Sequence, residues 1–149
     1  MTSRIRNLTF DCADPARLAA FWRDALGYDD PVEQDDEGAW IEDPSGARPN
    51  LLFLIVPEGK TAKNRIHFDL QPDRPRDQEV QRLQRLGSTI ADDRRKPDGT
   101  GWVVMLDPEG NELCVERSPA EREQTVERSG AEREQTVERS PAEREQTEG

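Results

Sequence analysis

Two stretches of the chain alternate apolar and polar residues with a period of two, the pattern of a strand with one buried face. In Asn7-Leu8-Thr9-Phe10-Asp11-Cys12, the residues Leu8, Phe10 and Cys12 oppose Asn7, Thr9 and Asp11. In Asn64-Arg65-Ile66-His67-Phe68-Asp69-Leu70, the residues Ile66, Phe68 and Leu70 oppose His67, Asp69 and Gln71. Strands are expected over residues 4–12 and 64–70. Helical periodicity follows each. Asp14-Pro15 supplies an N-cap and a proline at the first helical position, and Leu18, Phe21, Trp22, Ala25 and Leu26 recur at three- and four-residue steps before Gly27 ends the helix. Beyond Pro72–Pro75, Val80, Leu83 and Leu86 repeat the pattern up to Gly87.

Shorter apolar runs predict the remaining strands: one near Val32, then Gly38–Glu42 closed by the turn Asp43-Pro44-Ser45-Gly46, and a run apolar on both faces from Leu51 to Val56. After the second helix come Ser88–Asp92, a charged hairpin at Asp98-Gly99, Trp102–Leu106 closed by Asp107-Pro108-Glu109-Gly110, and Leu113-Cys114-Val115. Strand–helix–strand–strand–strand thus occurs twice. Asn7 and His67 are 60 residues apart, as are Gly27 and Gly87, while Trp40 and Trp102 are 62 apart. The chain reads as an internal duplication, an α+β body of residues 1–117 with modules at about 4–58 and 63–117. From Ser118 another repeat begins, with starts at 118, 129 and 140, in which each copy carries Ala-Glu-Arg-Glu-Gln-Thr. Ser118 to Glu121 is a capping box, yet no copy offers an apolar stripe, so residues 118–149 are expected to be a disordered or solvated helical tail, with docking on a partner as the rival reading.

Composition narrows the function. The 149 residues carry a net charge of −11. The tail holds nine Glu and five Arg, so the body keeps −7 of the −11. An acidic body with one basic cluster, Arg94-Arg95-Lys96 among aspartates, excludes a nucleic-acid partner, which would need clustered cations. No apolar run reaches membrane-spanning length, and the N-terminus lacks the apolar centre of a signal peptide. Cys12 and Cys114 fall in expected strands without metal-type spacing, so they read as reduced residues of a cytoplasmic protein, a disulfide between them being the minor alternative.

Two βαβββ units, each with an Asp-Pro-x-Gly turn, resemble the vicinal oxygen chelate superfamily, of which glyoxalase I, bleomycin-resistance proteins and extradiol dioxygenases are members. The glyoxalase-like domain subgroup is the most similar. The resemblance rests on Leu8–Asp11 with Asp14-Pro15, on Phe21-Trp22 to Leu26-Gly27-Tyr28, on Lys63–His67, and on Asp107-Pro108-Glu109-Gly110-Asn111-Glu112. It covers residues 4 to about 116. It implies that each module curls into a half-barrel of mixed sheet and that the pair encloses a cavity, with a divalent metal held by side chains from the first and last strands of both modules. Residue by residue, that implication weakens. Asn7 stands where the first module's histidine would be, the run Leu51–Val56 offers no ligand, His67 matches the second histidine, and Cys114 takes the place of a glutamate. No cofactor is therefore expected, although an off-pattern site of His67 and Cys114 with Glu112 or Asp69 and Asp11 is conceivable.

The expected cavity is a polar floor of Asn7, Thr9, Asp11, His67, Asp69, Gln71, Glu112, Cys114 and Glu116, walled by Trp40 and Trp102 if these are not simply core. His67, the only histidine, has three readings: metal ligand, general acid/base oriented by Asp69 or Asp11, and one polar contact of a binding pocket. The third is preferred. The chain is expected to bind a small organic molecule without a catalytic metal. The alternatives are a lyase or isomerase using His67 and, more remotely, a scaffold for the tail. Monomer and homodimer both remain open, because modules of this kind pair within one chain or between two.

Overall fold

The computed structural model describes residues 2–127; the second and third copies of the eleven-residue repeat lie outside them. The first module runs β1 (Asn7–Cys12), α1 (Pro15–Leu26), β2 (Glu33–Gln34), β3 (Gly38–Ile41) and β4 (Asn50–Ile55). The second runs β5 (Phe68–Leu70), α2 (Arg76–Leu86), β6 (Thr89–Asp93), β7 (Val103–Leu106) and β8 (Glu112–Val115). Each module forms one open four-stranded mixed sheet, in the orders β1-β4-β3-β2 and β5-β8-β7-β6. First and last strands of a module pair in parallel and the others antiparallel, so the two halves share a topology. Two open mixed sheets with their helices make the α+β architecture that the resemblance implies.

Local chemistry sets the boundaries. Asp14 accepts a hydrogen bond from the Arg17 N–H at 3.1 Å, and Gly27 closes α1 at φ 71°, a conformation that costs glycine little. At Gly38 a Cβ would come within 2.1 Å of the Phe53 carbonyl oxygen, so β3 and β4 approach there as only glycine permits. Both long strands are shorter at their starts than the alternation suggests. β5 pairs with β8 only over Phe68–Leu70 and Leu113–Val115. Upstream, Asn64 turns to side chains instead of the backbone ladder: its N–H donates to Glu112 and its amide to Asn111, both at 3.2 Å. The expected strand over 64–67 is thereby replaced by irregular chain, and Ile66, expected to face the core, is 77% exposed.

The two modules share one core. Leu8 and Phe10 turn inward from β1, Phe68 and Leu70 from β5, and both helices cover them. Phe68 lies 5.6 Å from Phe10 and 5.3 Å from Trp22, ring centre to ring centre, which puts aromatic edges across the module junction. Trp22, at 1% exposure, also donates its indole N–H to buried Asp107 of the second module at 3.2 Å. Glu109 accepts from the N–H groups of Ala13 and Asp14 just ahead of α1. Cys12 and Cys114 are free thiols. Their locations follow from this packing: Cys12 faces the shared core, whereas Cys114 opens on the other side of its sheet.

Residues 119–127 are helical. Ser118, 2% exposed, and Glu121 form the expected capping box, with the Ser118 N–H and hydroxyl donating to Glu121 and the Glu121 N–H donating back to the hydroxyl. The same Glu121 carboxylate accepts from the Arg76 N–H at 2.9 Å, capping α2, whose own N-cap, Pro75, has no side-chain acceptor. The first turn of the tail is therefore seated on the body.

Candidate functional site

Because the shared core takes the inward faces of both sheets, the polar positions of β1 and β5 are turned away from it. On the second module, Asp69 of β5 and Cys114 of β8 are register partners, so their side chains project together on the open face. His67 precedes Asp69 by two residues and lies on the same side, its Nε2 3.3 Å from an Asp69 carboxylate oxygen. The Cys114 sulfur lies beside Asp69, and one ligand-type atom from each of the three residues lies within 4.8 Å of the others.

These groups line a cleft of about 680 Å³ together with Trp102, Val104 and Leu106 of the β7 region and with Lys63, Glu112 and Glu116. Trp102 is 41% exposed and so presents its ring to the space. Most charge in the cleft is paired. Glu112 lies 3.2 Å from the Lys60 ammonium and 3.8 Å from that of Lys63, Glu116 is 3.0 Å from Arg122, and Asp92 pairs with Arg94. Burial pushes the Glu112 carboxyl up, but backbone N–H donors and Lys60 outweigh it and hold its pKa below the usual value. The Cys114 thiol is pushed up to about 11, first by burial and then by the negative charge of Asp69 and Glu116. At neutral pH it is a thiol, not a thiolate nucleophile.

The first module's open face carries a separate, smaller cavity of about 170 Å³ lined by Arg6, Asn7, Trp40, Glu42, Asn50 and Leu52. The residues expected on one polar floor are thus divided between two faces. His67, Asp69, Trp102, Glu112, Cys114 and Glu116 come together, while Asn7 and Trp40 sit in the other module. Thr9 and Asp11 are exposed on β1 and line neither cavity. Gln71 lines a third cleft, of about 620 Å³, between the end of α1 and the start of α2. There Arg82 is committed to Glu79 and to the Asp24 and Ala25 carbonyls, so that cleft's main cation already has partners. Sequence reasoning missed Lys63, Arg94, Val104 and Leu106. The last two had a signal: a run apolar on both faces must show one of them to something other than the core.

The glyoxalase-like domain family matches residues 7–116, and the chain belongs to it. Solved structures share its fold. A possible glyoxalase from Bacillus cereus is 18% identical, with a TM-score of 0.54 over 77% of this chain and 99% of that one. A glyoxalase/bleomycin resistance protein/dioxygenase family enzyme from Burkholderia phytofirmans is 14% identical, with a TM-score of 0.52 over 76% and 97%. The trypanothione-dependent glyoxalase I of Leishmania major is 15% identical, with a TM-score of 0.57 over 91% and 99%. Comparison with curated protein sequences returns no match. The chain is thus a member of the vicinal oxygen chelate superfamily.

The superfamily implies a metal held jointly by both modules, and the donors present do not furnish that centre. The positions in question carry Asn7, His67, Cys114 and, as the β4 counterpart of Cys114 by register, Leu52. At these two positions the first module offers a neutral amide and a leucine, neither of them a side chain suited to a divalent cation.

Proposed function

We propose that this protein holds a small organic molecule on the open face of its second module, without the two-module metal centre of its superfamily. The observation that carries the reading is the cleft of about 680 Å³, in which the exposed ring of Trp102 and the apolar side chains of Val104 and Leu106 lie beside His67, Asp69 and Cys114 on one sheet face. Its size and its mix of one apolar wall with a few convergent polar groups suit a ligand of drug-like dimensions. Trp102 stacks on a flat ring, and His67 and Asp69 fix its orientation through hydrogen bonds.

An open sheet face covers such a ligand on one side only. A second copy of the chain supplies the cover, since the first module presents its own half-exposed apolar residues, Leu52 and Leu54, on its open face. The protein acts as a homodimer in the cytoplasm, where its two free thiols stay reduced. Among the described residues no helix is long and apolar enough to cross a membrane.

Native mass spectrometry of the purified protein, before and after incubation with a library of aromatic metabolites, tests the binding. A bound mass on the wild type that disappears in Trp102→Ala is expected. A chain that takes up no organic molecule, or a Trp102→Ala variant that binds as well as the wild type, overturns the reading. The 3.3 Å contact between His67 and Asp69 favours one second reading, a lyase or isomerase in which His67 moves a proton and Asp69 orients the ring. In that case His67→Ala abolishes turnover while ligand affinity stays within a few-fold.

A further inference from the structure

We propose that His67, Asp69 and Cys114 form a binding site for a thiophilic divalent cation of the zinc class, built within the second module alone. Three features of the open face carry this.

The first is geometry. An imidazole nitrogen, a carboxylate oxygen and a thiol sulfur lie within 4.8 Å of one another, one from each residue. A tetrahedral zinc ion with ligand bonds of 2.0–2.3 Å separates its ligand atoms by roughly 3.3–3.8 Å. His67 and Asp69 already stand at 3.3 Å. Asp69 and Cys114 are fixed as register partners on adjacent parallel strands, whereas His67 lies just before β5 and is exposed, free to complete the set by a small movement. Two ligands are held by the ladder and one adapts.

The second is charge. Among the described residues lining this cleft, Glu112, Glu116 and Asp92 each have a Lys or Arg partner, whereas Asp69 has only His67. The site holds one uncompensated carboxylate beside a thiol. A cation neutralises it and takes the thiolate as well. Binding releases the thiol proton to solvent: Cys114–SH and M²⁺ give Cys114–S–M⁺ and H⁺, with no change of oxidation state.

The third is donor type. Magnesium and calcium take six or more oxygens, which this set cannot supply. Imidazole, carboxylate and thiolate together select zinc and its neighbours among the transition metals. Three protein ligands leave one position of a tetrahedral ion for water or a bound molecule. The superfamily's own centre draws on both modules, whereas this one needs nothing from the first; it shares His67 and Asp69 with the proposed organic site, and a metal titration run without an organic ligand tests it alone.

Cobalt(II) titration of the full-length chain, purified without a histidine tag and treated with chelator, tests the proposal. The expected result is one cobalt per chain, a thiolate-to-cobalt charge-transfer band in the near ultraviolet, and tetrahedral d–d absorption, all displaced by equimolar zinc. Cys114→Ser removes the charge-transfer band, and Asp69→Asn weakens zinc at least by the about 10–100-fold that even outer partners of a metal ligand contribute. Cys12→Ser, in the other module, leaves the band intact and shows that the sulfur is the right one. Cobalt bound without a thiolate band, no stoichiometric binding, or a Glu112→Gln variant that loses zinc as Asp69→Asn does overturns the proposal. Circular dichroism spectra that match the wild type keep a misfolded variant from passing as a lost ligand.

Discussion

Cys114 joins β8 to the open cleft, and its chemistry is set by what surrounds the sulfur. Burial comes first and the carboxylates of Asp69 and Glu116 second, together pushing the thiol up to about 11 from 9.0. Cys12 is pushed to the same value, again first by burial and then by Glu109 and Asp14. A thiol two units above its ordinary value has roughly a hundredth of the thiolate at neutral pH. Iodoacetamide at pH 7.5 is therefore expected to modify the native protein about 100-fold more slowly than free cysteine, measured by mass spectrometry, with both residues reacting at the ordinary rate in denaturant. The sign of the linkage follows. The native state keeps a proton that the unfolded thiol has already lost, so the contribution is intact below about pH 9 and is lost as pH rises through the native value. Urea midpoints should fall between pH 8.5 and 10.5, and fall less in Cys114→Ser. An equal decline in both proteins would assign the effect to other groups.

At the scale of elements, the junction between the modules and the seat of the tail each hang on a few side chains. Trp22→Phe keeps an aromatic ring beside Phe10 and Phe68 but strips buried Asp107 of its indole donor, for a cost of roughly 1–3 kcal/mol in urea unfolding. Asp107 retains donors from its own turn, the Glu109 and Asn111 N–H groups, which argues for the lower half of that range. Glu121→Ala removes two caps at once, on its own helix and on α2, and is expected to cost about 1–2 kcal/mol; exposed Glu123→Ala serves as the near-neutral control. These cases mark what the sequence made legible. Caps, glycine stops, Asp-Pro-x-Gly turns and the duplication are local or periodic signals, and they located α1, α2 and the order of the strands along the chain. The capping box of Ser118 was legible too. That its glutamate would also cap α2 was not, because the partner is a backbone N–H 45 residues away. The start of β5 failed for a related reason: the alternation continued through Ile66, but the side chains of Asn111 and Glu112 drew Asn64 off the ladder, and alternation alone records no competition for hydrogen bonds. At the site, sequence order grouped Asn7 with His67. The packing of both inward faces into one core divided them.

That division sets the behaviour of the whole molecule. One shared core consumes the inward faces, and each module is left with an open sheet whose residues are half exposed: Trp40, Leu52 and Leu54 on one, Val104, Leu106 and Trp102 on the other. If the proposed dimer places the first face of one copy over the second face of its partner, the two copies enclose two equivalent cavities, and a charge on either face harms both. Leu52→Glu and Val104→Glu should each shift the protein from dimer to monomer in sedimentation equilibrium, because a carboxylate buried in an apolar contact without a partner is costly. Mixing the two variants separates this arrangement from a dimer that joins like faces. In the mixed pair, one cavity receives both substitutions and the other receives neither, so dimer re-forms with one intact cavity. A dimer of like faces would meet a charge on one side of every contact and gain no intact one. Recovery of dimer on mixing, against monomers in each variant alone, is the expected result. Persistent monomers in the mixture would show that the open faces do not meet across copies in this way.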